Sequence, residues 1–281
     1  MLDTEFYGGE ASICVTCGTQ FAPSAQAPAE CPIICLDPRQ YVGFDGQQWT
    51  TLDRLRAGHS NVIEHEEPGL SSIRTEPSFG IGERAFLLQT PQGNVLWDCV
   101  ALLNQPTVEA ISRLGGIAAI AISHPHYYTT MVEWSVSFDN APIYLHAADR
   151  DWVMRPHANI RFWQGNSLKL LDDLVLVHTP GHFDGFQVLH WPAGADGKGV
   201  LLAGDQPQVC MDRRWLSFLY SYPNYLPLGI LAVENIGRTL ELYDFDRIYG
   251  AFPAFPRRTV RSDAKETLKR SLERYAKAIG A

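Results

Sequence analysis

From about residue 70 onward, short apolar runs bounded by turn residues alternate with segments of helical periodicity. Eight of these runs predict β-strands, at residues 84–90, 95–99, 117–122, 142–146, 174–178, 185–190, 199–203 and 247–250. Four segments predict helices, at residues 107–114, 129–138, 231–242 and 263–279. Strands outnumber helices and turn residues such as 91–94 suggest hairpins, so the pattern predicts a layered α/β domain rather than a regular parallel array.

Neither periodicity persists in the first 45 residues. They hold two cysteine pairs separated by a loop rich in Pro, Ala, Ser and Gln, and we expect a bound metal to organise this segment. Residues 46–69 are polar and predict a connector with one short helix near 50–57. The predicted organisation is therefore a cysteine segment at 1–45, a connector at 46–69 and the main domain at 70–281.

Composition narrows the class of protein. A chain of 281 residues suffices for one large domain with an appendage or for two small ones, and 46% apolar with 19% charged residues is typical of soluble proteins. A net charge of −8 argues against nucleic acid and anionic membranes as partners, because both attract basic surfaces. The first residues lack a signal-peptide pattern and no apolar run approaches about 20 residues, so we expect a cytoplasmic protein.

Four of the six cysteines lie within 22 residues, as Cys14-x2-Cys17 and Cys31-x3-Cys35. Two cysteines so spaced can bind one ion from a tight turn, and Gly18 can supply left-handed backbone there. The pattern predicts a closed, structural Zn(II) site with four thiolate ligands, a zinc-ribbon-like knuckle. Rubredoxin-like iron, or four reduced thiols without a metal, are the alternatives. Few basic residues accompany these cysteines, so a structural role is favoured over nucleic-acid binding.

Three predicted strands end on residues that bind metals. His124 and His126 follow the strand that ends at Ser123, and residues two apart in an extended segment point the same way. A Pro-Gly turn after strand 174–178 presents His182, and Asp205 follows strand 199–203. The sequence therefore predicts a metal site with these three histidines and Asp205 at the rim of a sheet.

With these motifs in place, residues from about 70 to about 260 resemble the metallo-β-lactamase superfamily. Its hallmarks are H-x-H-x-D-H, a Pro-Gly-His turn, an Asp after a strand and a late His. Asp98, near the end of an early predicted strand, resembles a further family position, although Cys99 follows it where the family usually has glycine. The resemblance implies a four-layer αβ/βα sandwich with the metal site along one edge, behind a small N-terminal zinc knuckle.

The sequence departs from the family pattern at the ligands of a second metal. Tyr128 stands where the motif has Asp, Thr129 stands where it has the next His, and residues 249–253 contain no late histidine. The ligands that resemble the first site remain. The resemblance therefore implies one active-site metal or none, rather than a dinuclear centre.

Three functions are compatible with these residues. The leading hypothesis is a hydrolase of a small-molecule ester, thioester or lactone, in which zinc lowers the pKa of a bound water to about 7 and Asp205 either binds the ion or orients and deprotonates the water. The second is an Fe(II) oxygenase using His124, His182 and Asp205, which resembles the persulfide dioxygenase branch of the superfamily. The third is a non-catalytic binding protein.

Several residues near this motif have two interpretations each. Tyr128 is either a catalytic hydrogen-bond donor to developing negative charge or a filler of the second-metal space. Glu133 either replaces the missing carboxylate or is a solvated or capping residue. His178 is either a residue behind the metal ligands or a core residue. The aromatic segment 215–228 either walls a substrate pocket or packs against the core or against a second copy in a homodimer.

Overall fold

Two mixed β-sheets face each other in the computed structural model, which describes residues 11–29, 33–252 and 259–280. The seven-stranded sheet contains, in spatial order, β3 (Ser60–Glu67), β4 (Leu70–Glu76), β5 (Arg84–Leu88), β6 (Val95–Trp97), β7 (Ala119–Ala121), β8 (Ile143–His146) and β9 (Ile160–Trp163). The six-stranded sheet contains β10 (Ser167–Lys169), β11 (Val175–His178), β12 (Gln187–Trp191), β13 (Val200–Leu202), β18 (Arg247–Tyr249) and β19 (Thr259–Val260).

Three short strand pairs, seven α-helices and two 3-10 turns (Pro125–Tyr127 and Ala147–Trp152) complete the elements of the described residues. The pairs are β1 (Ile13–Cys14) with β2 (Trp49–Thr50), β14 (Gln208–Val209) with β15 (Leu216–Ser217), and β16 (Leu219–Ser221) with β17 (Leu226–Pro227). The helices are α1 (Ile33–Leu36), α2 (Leu52–Gly58), α3 (Gln105–Arg113), α4 (Met131–Ser137), α5 (Gly194–Gly197), α6 (Ile230–Glu241) and α7 (Ala264–Ile279). Within the described ranges, no helix is both long and apolar enough to cross a bilayer.

Alternation along the buried strands builds the layers. In β5, Leu87 faces the cluster that includes side chains of α3 and α4, whereas its neighbour Phe86 faces the other sheet. In β13, Leu201 packs with α6 and α7, and Leu202 meets the first sheet. Because successive side chains point to opposite faces, each sheet buries one face against the other sheet and one against helices. The result is the αβ/βα sandwich that the resemblance implied.

All eight predicted strands and all four predicted helices of the main domain occur, with ends that differ by a few residues. Residues 46–69, predicted as a connector, contain α2 and also β3, an edge strand of the seven-stranded sheet. No local pattern predicts β3, because an edge strand is largely solvated and Glu64, His65 and Glu66 interrupt any alternation. Whether the domain boundaries lie at 45 and 70 stays a prediction.

A glycine at the start of β13 fixes the strand that leads to Asp205. Gly199 has φ +88°, and a Cβ there would lie 2.1 Å from the carbonyl oxygen of Asp244. We expect Gly199→Ala to lower the free energy of unfolding by about 2 kcal/mol or more, from backbone strain and this clash. Urea denaturation measures the change. Gly58→Ala in α2 is the control, because its Cβ meets nothing within 4 Å; equal stability of the two variants would contradict the argument.

Candidate metal centre

Three strand ends meet at one edge of the sandwich. After β7 the chain continues through Ser123 to His124, which is extended, and then forms a 3-10 turn at Pro125–Tyr127. After β11 the chain turns to present His182, and after β13 it reaches Asp205. The backbone nitrogen of Ser123 donates to Asp98 Oδ1 at 2.7 Å. Because Asp98 directly follows the neighbouring strand β6, this contact fixes the backbone just before His124.

The three histidines and Asp205 form one buried group whose ligand atoms all lie within 4.8 Å of one another. Asp205 Oδ2 lies 3.4 Å from His124 Nε2 and 4.0 Å from His182 Nε2. His182 Nε2 lies 3.4 Å from His126 Nδ1. Ligands about 2.0–2.1 Å from a tetrahedral zinc would be about 3.3–3.4 Å apart, so this spacing fits a single ion.

Other contacts orient two of the rings. Ser123 Oγ lies 2.9 Å from His124 Nδ1, and the carbonyl oxygen of Leu219 lies 3.1 Å from His182 Nδ1. Each contact engages the nitrogen that faces away from the group and leaves Nε2 for an ion. Backbone support comes from Gln206, whose Oε1 accepts from the backbone nitrogen of His182 at 2.8 Å while its Nε2 donates to the carbonyl of Thr179 at 2.7 Å.

Burial decides the charges in this group. It lowers the pKa of His182 to about 3, with a further contribution from His124, and it lowers the pKa of His126 well below the ordinary value. The rings are therefore neutral near pH 7, the state in which imidazole binds metals. Burial alone would raise the pKa of Asp205, but contacts with His124, His182 and Tyr127 lower it, so its carboxylate is ionised.

Two further acids lie buried nearby. Burial raises the pKa of Glu83 and that of Asp98 to about 8, and the charge of Asp205 adds to both shifts. Near pH 7 these two acids are mostly protonated. Asp205 thus carries the negative charge that faces the histidines.

Two tyrosines hold Asp205, and the sequence analysis identified neither. The Tyr127 hydroxyl donates to Asp205 Oδ1, and the Tyr222 hydroxyl donates to the backbone carbonyl of Asp205. Tyr128, for which the sequence left open a catalytic donor or a filler of the second-metal space, lies in the core cluster beside α4, and the residues lining the cavity do not include it. The 3-10 turn at Pro125–Tyr127 explains the difference, because side chains no longer alternate there as in a strand.

Three other residues discussed from the sequence, Thr129, Glu133 and His178, contact residues outside the metal-ligand group. The Thr129 hydroxyl donates to the carbonyl of Gly18 at 2.7 Å. Glu133 is buried and pairs with Arg155 and Gln20, so it lies neither in solvent nor with the metal-ligand group. His178 stacks on His146 with ring centroids 3.8 Å apart, also outside that group.

Three of the predicted cysteine ligands also converge. Cys35 Sγ lies 3.6 Å from Cys14 Sγ and 3.7 Å from Cys17 Sγ, too far for disulfides. Zinc–sulfur bonds of about 2.3 Å place tetrahedral sulfurs about 3.8 Å apart, so the spacing fits one zinc ion. Thiol donation from Cys17 and Cys35 lowers the pKa of Cys14 to about 2, and the same contacts raise the pKa of Cys17 to about 12 and also raise that of Cys35. The three sulfurs therefore share one thiolate, that of Cys14. Cys31, the fourth predicted ligand, lies outside the described residues.

A cavity of about 280 Å³ opens onto the histidine group. His126 and Asp205 line it, together with Tyr222 and Pro223 of the aromatic segment. The other lining residues come from the N-terminal segment and from loops of the main domain, namely Thr16, Arg39, Gln40, Tyr41, Gly80, Ile81 and Phe252. Two residues of the aromatic segment therefore line this cavity, whereas Leu216, Phe218 and Leu228 of the same segment pack in the core with α6 and α7, so each predicted interpretation describes part of the segment.

Solved structures identify the class of fold. The metallo-β-lactamase of Cronobacter sakazakii with an HARLDQ motif matches with a TM-score of 0.53 at 18% identity, over 81% of this chain and 96% of that one. FIM-1 from Pseudomonas aeruginosa, in its mono-zinc form, matches with a TM-score of 0.54 at 12% identity, over 76% and 95%. The DIM-1 metallo-β-lactamase gives 0.57 at 14% identity, over 78% and 98%. The protein has the metallo-β-lactamase fold.

Sequence comparison defines the family more narrowly. The chain is 48% identical over 271 residues to the "Uncharacterized protein YmaE" of Bacillus subtilis (strain 168), which covers 96% of this chain and 97% of that protein. The chain belongs to the same family as YmaE. No protein-family model matches it.

The lowered pKa of His182 predicts how stability depends on pH. A histidine that is neutral when folded and protonated when unfolded destabilises the fold as the pH falls. Between its ordinary pKa of 6.5 and about 3, His182 should lower the free energy of unfolding of the metal-free protein by up to about 1.4 kcal/mol per pH unit. We expect His182→Gln to flatten this dependence between about pH 6.5 and about pH 4.5, measured by urea denaturation.

His65→Gln is the matched control for this measurement, because His65 is exposed on the edge strand β3. It should keep the dependence of the wild type. If all three proteins lose stability equally as the pH falls, His182 is not held neutral in the fold.

Proposed function

We propose that the protein is a metal-dependent hydrolase of a small-molecule ester, thioester or lactone, with one metal ion in its active site. The observation that carries the proposal is the spacing of His124, His126, His182 and Asp205, whose ligand atoms fit a single tetrahedral ion. Their neutral imidazoles and ionised carboxylate are the forms in which these groups bind zinc.

The proposal of one ion rests on the two residues that replace the second-metal ligands. Tyr128 packs in the core, and the Thr129 hydroxyl is engaged by a backbone carbonyl. Neither side chain offers a free ligand atom of the kind a second zinc ion prefers. FIM-1, which has the same fold, was crystallised in a mono-zinc form, and this supports the proposal of a single ion.

Zinc bound here would polarise a substrate carbonyl and lower the pKa of a water molecule to about 7. Asp205 directs Oδ2 toward the histidine nitrogens, where it can bind the ion or accept a proton from the attacking water. Tyr127 holds Oδ1 and so fixes the orientation of the carboxylate. Tyr222 packs against the ring of His182 and helps to exclude solvent from that side.

The cavity supports a small substrate. Its volume of about 280 Å³ falls just below the range of about 300–1,000 Å³ typical of sites for drug-sized ligands. Gln40 lines the cavity, and among the described residues its buried Oε1 has no hydrogen-bond partner. We propose that Gln40 contacts a polar group of the substrate, and that Ile81 and Phe252 contact an apolar part.

Metal analysis of purified protein tests the proposal. We expect about two zinc ions per chain, one lost in His182→Ala and the other in Cys14→Ala. Hydrolysis of a panel of esters, thioesters and lactones should fall at least about 100-fold in Asp205→Asn, while His65→Ala retains the wild-type rate. One iron with one zinc would support the two-histidine oxygenase instead, and a histidine site that binds no metal would exclude both enzymes.

Tyr127 and Tyr128 form a natural pair of variants. Tyr127→Phe keeps the ring but removes the donor to Asp205 Oδ1, so we expect the zinc affinity of the histidine site to fall about 10-fold, measured by competition with a chromophoric chelator. Tyr128→Phe should change that affinity less than twofold. A fall in kcat for Tyr128→Phe alone would instead support the catalytic donor predicted from the sequence.

A further inference from the structure

The cysteine cluster and the histidine site share one cavity wall. Thr16 lies within the Cys14–Cys17 turn and lines the same cavity as Asp205. Residues 39–41, which begin four positions after Cys35, line the same cavity. Both loops of the cysteine cluster therefore reach the active-site cavity.

Arg39 makes the most direct connection. Its side chain forms a two-point ion pair with Asp37, with Nε at 2.6 Å from Oδ1 and Nη2 at 2.8 Å from Oδ2. The remaining nitrogen, Nη1, donates to the backbone carbonyl of His182 at 3.0 Å. The guanidinium also lies 3.8 Å from the centre of the Phe183 ring. Because its guanidinium is held by these contacts, Arg39 fixes the position of residues 37–39 relative to the turn that carries His182.

Two other contacts attach the cysteine segment to the same region. The carbonyl of Gly18 accepts from Thr129, three residues beyond His126. Gln20 donates to Glu133, and Arg155 donates to both Gln20 and Glu133, all of them buried. The segment is thus bound to Thr129, to Glu133 of α4 and to Arg155 by buried polar contacts, which favour one relative position.

We infer that Arg39 is a positioning residue that couples the cysteine cluster to the histidine site, so that metal bound by the cysteines raises the metal affinity of the histidines. The inference rests on the metal centre of the proposed function. A metal at the cysteines orders the segment that carries Asp37 and Arg39, and Arg39 then holds the backbone of His182. Such coupling is reciprocal, so an ion at the histidines strengthens binding at the cysteines by the same factor.

The size of the effect follows from the position of Arg39. Removing groups that support metal ligands typically lowers metal affinity 10- to 100-fold. We therefore expect Arg39→Ala to weaken Co(II) binding at the histidine site 10- to 100-fold. Arg39→Lys should weaken it less, since an ammonium can reach one acceptor but cannot form the fork with Asp37 and the His182 carbonyl.

Co(II) titration of the full chain tests the coupling. Cobalt bound to thiolates absorbs differently from cobalt bound to imidazoles, so the two sites are followed separately, and a competing chelator gives each affinity. Arg54→Ala is the control, because Arg54 is exposed on α2, away from the cavity lining. Asp37→Asn is a milder second variant that loosens Arg39 without removing it. It should weaken the histidine site in the same direction as Arg39→Ala.

A double-mutant cycle separates coupling from general damage. Cys14→Ser should weaken cobalt binding at the histidines in the wild-type background and have a clearly smaller effect in Arg39→Ala, because both changes break the connection through Arg39. Additive effects, or wild-type affinity in Arg39→Ala and Asp37→Asn, would overturn the inference. Failure of the wild-type histidine site to bind cobalt would instead overturn the proposed metal centre, so the two failures are distinguishable.

Discussion

Asp205 lies buried at the edge of the sandwich where three strand ends meet, close to three histidine rings whose burial keeps them neutral. An ionised carboxylate in such a place is destabilising unless a positive charge or several donors compensate it. Tyr127 supplies one hydrogen bond, and the neutral rings supply no charge. A cation between the ring nitrogens and Oδ2 would satisfy the whole group. Because the ligands meet only in the folded chain, its binding free energy would add to the stability of the fold.

Most of the fold was predictable because most of its strands have a clear local sequence pattern. Strands β6, β7 and β13 are short apolar runs that end where turn or ligand residues begin, and burial on both faces leaves no polar alternation to confuse them. The polar edge strand β3 was not predictable in this way. Its place is set by seven register pairs with β4, which is a tertiary preference rather than a local one.

The metal-ligand group was predictable for the same local reason, since each ligand lies three to five residues after the end of a strand. Its supporting residues were not. Tyr127 faces Asp205 because the chain forms a 3-10 turn there. Strand alternation would instead place Tyr128 on the same side as His124 and His126. Arg39 carries no local signal at all, because it acts on His182, 143 positions along the chain. Contacts at that separation depend on the complete fold.

The same separations impose an order on assembly during synthesis. Gly18 binds Thr129 across 111 positions, and Arg39 binds His182 across 143. At about 5–20 residues per second, the N-terminal segment emerges about 7–30 s before the turn that Arg39 will hold. The cysteines are close in sequence and can capture an ion at once, whereas the histidines meet only after β13 has joined the sheet. Synthesis itself therefore separates the two metal centres in time, with the cysteine cluster first.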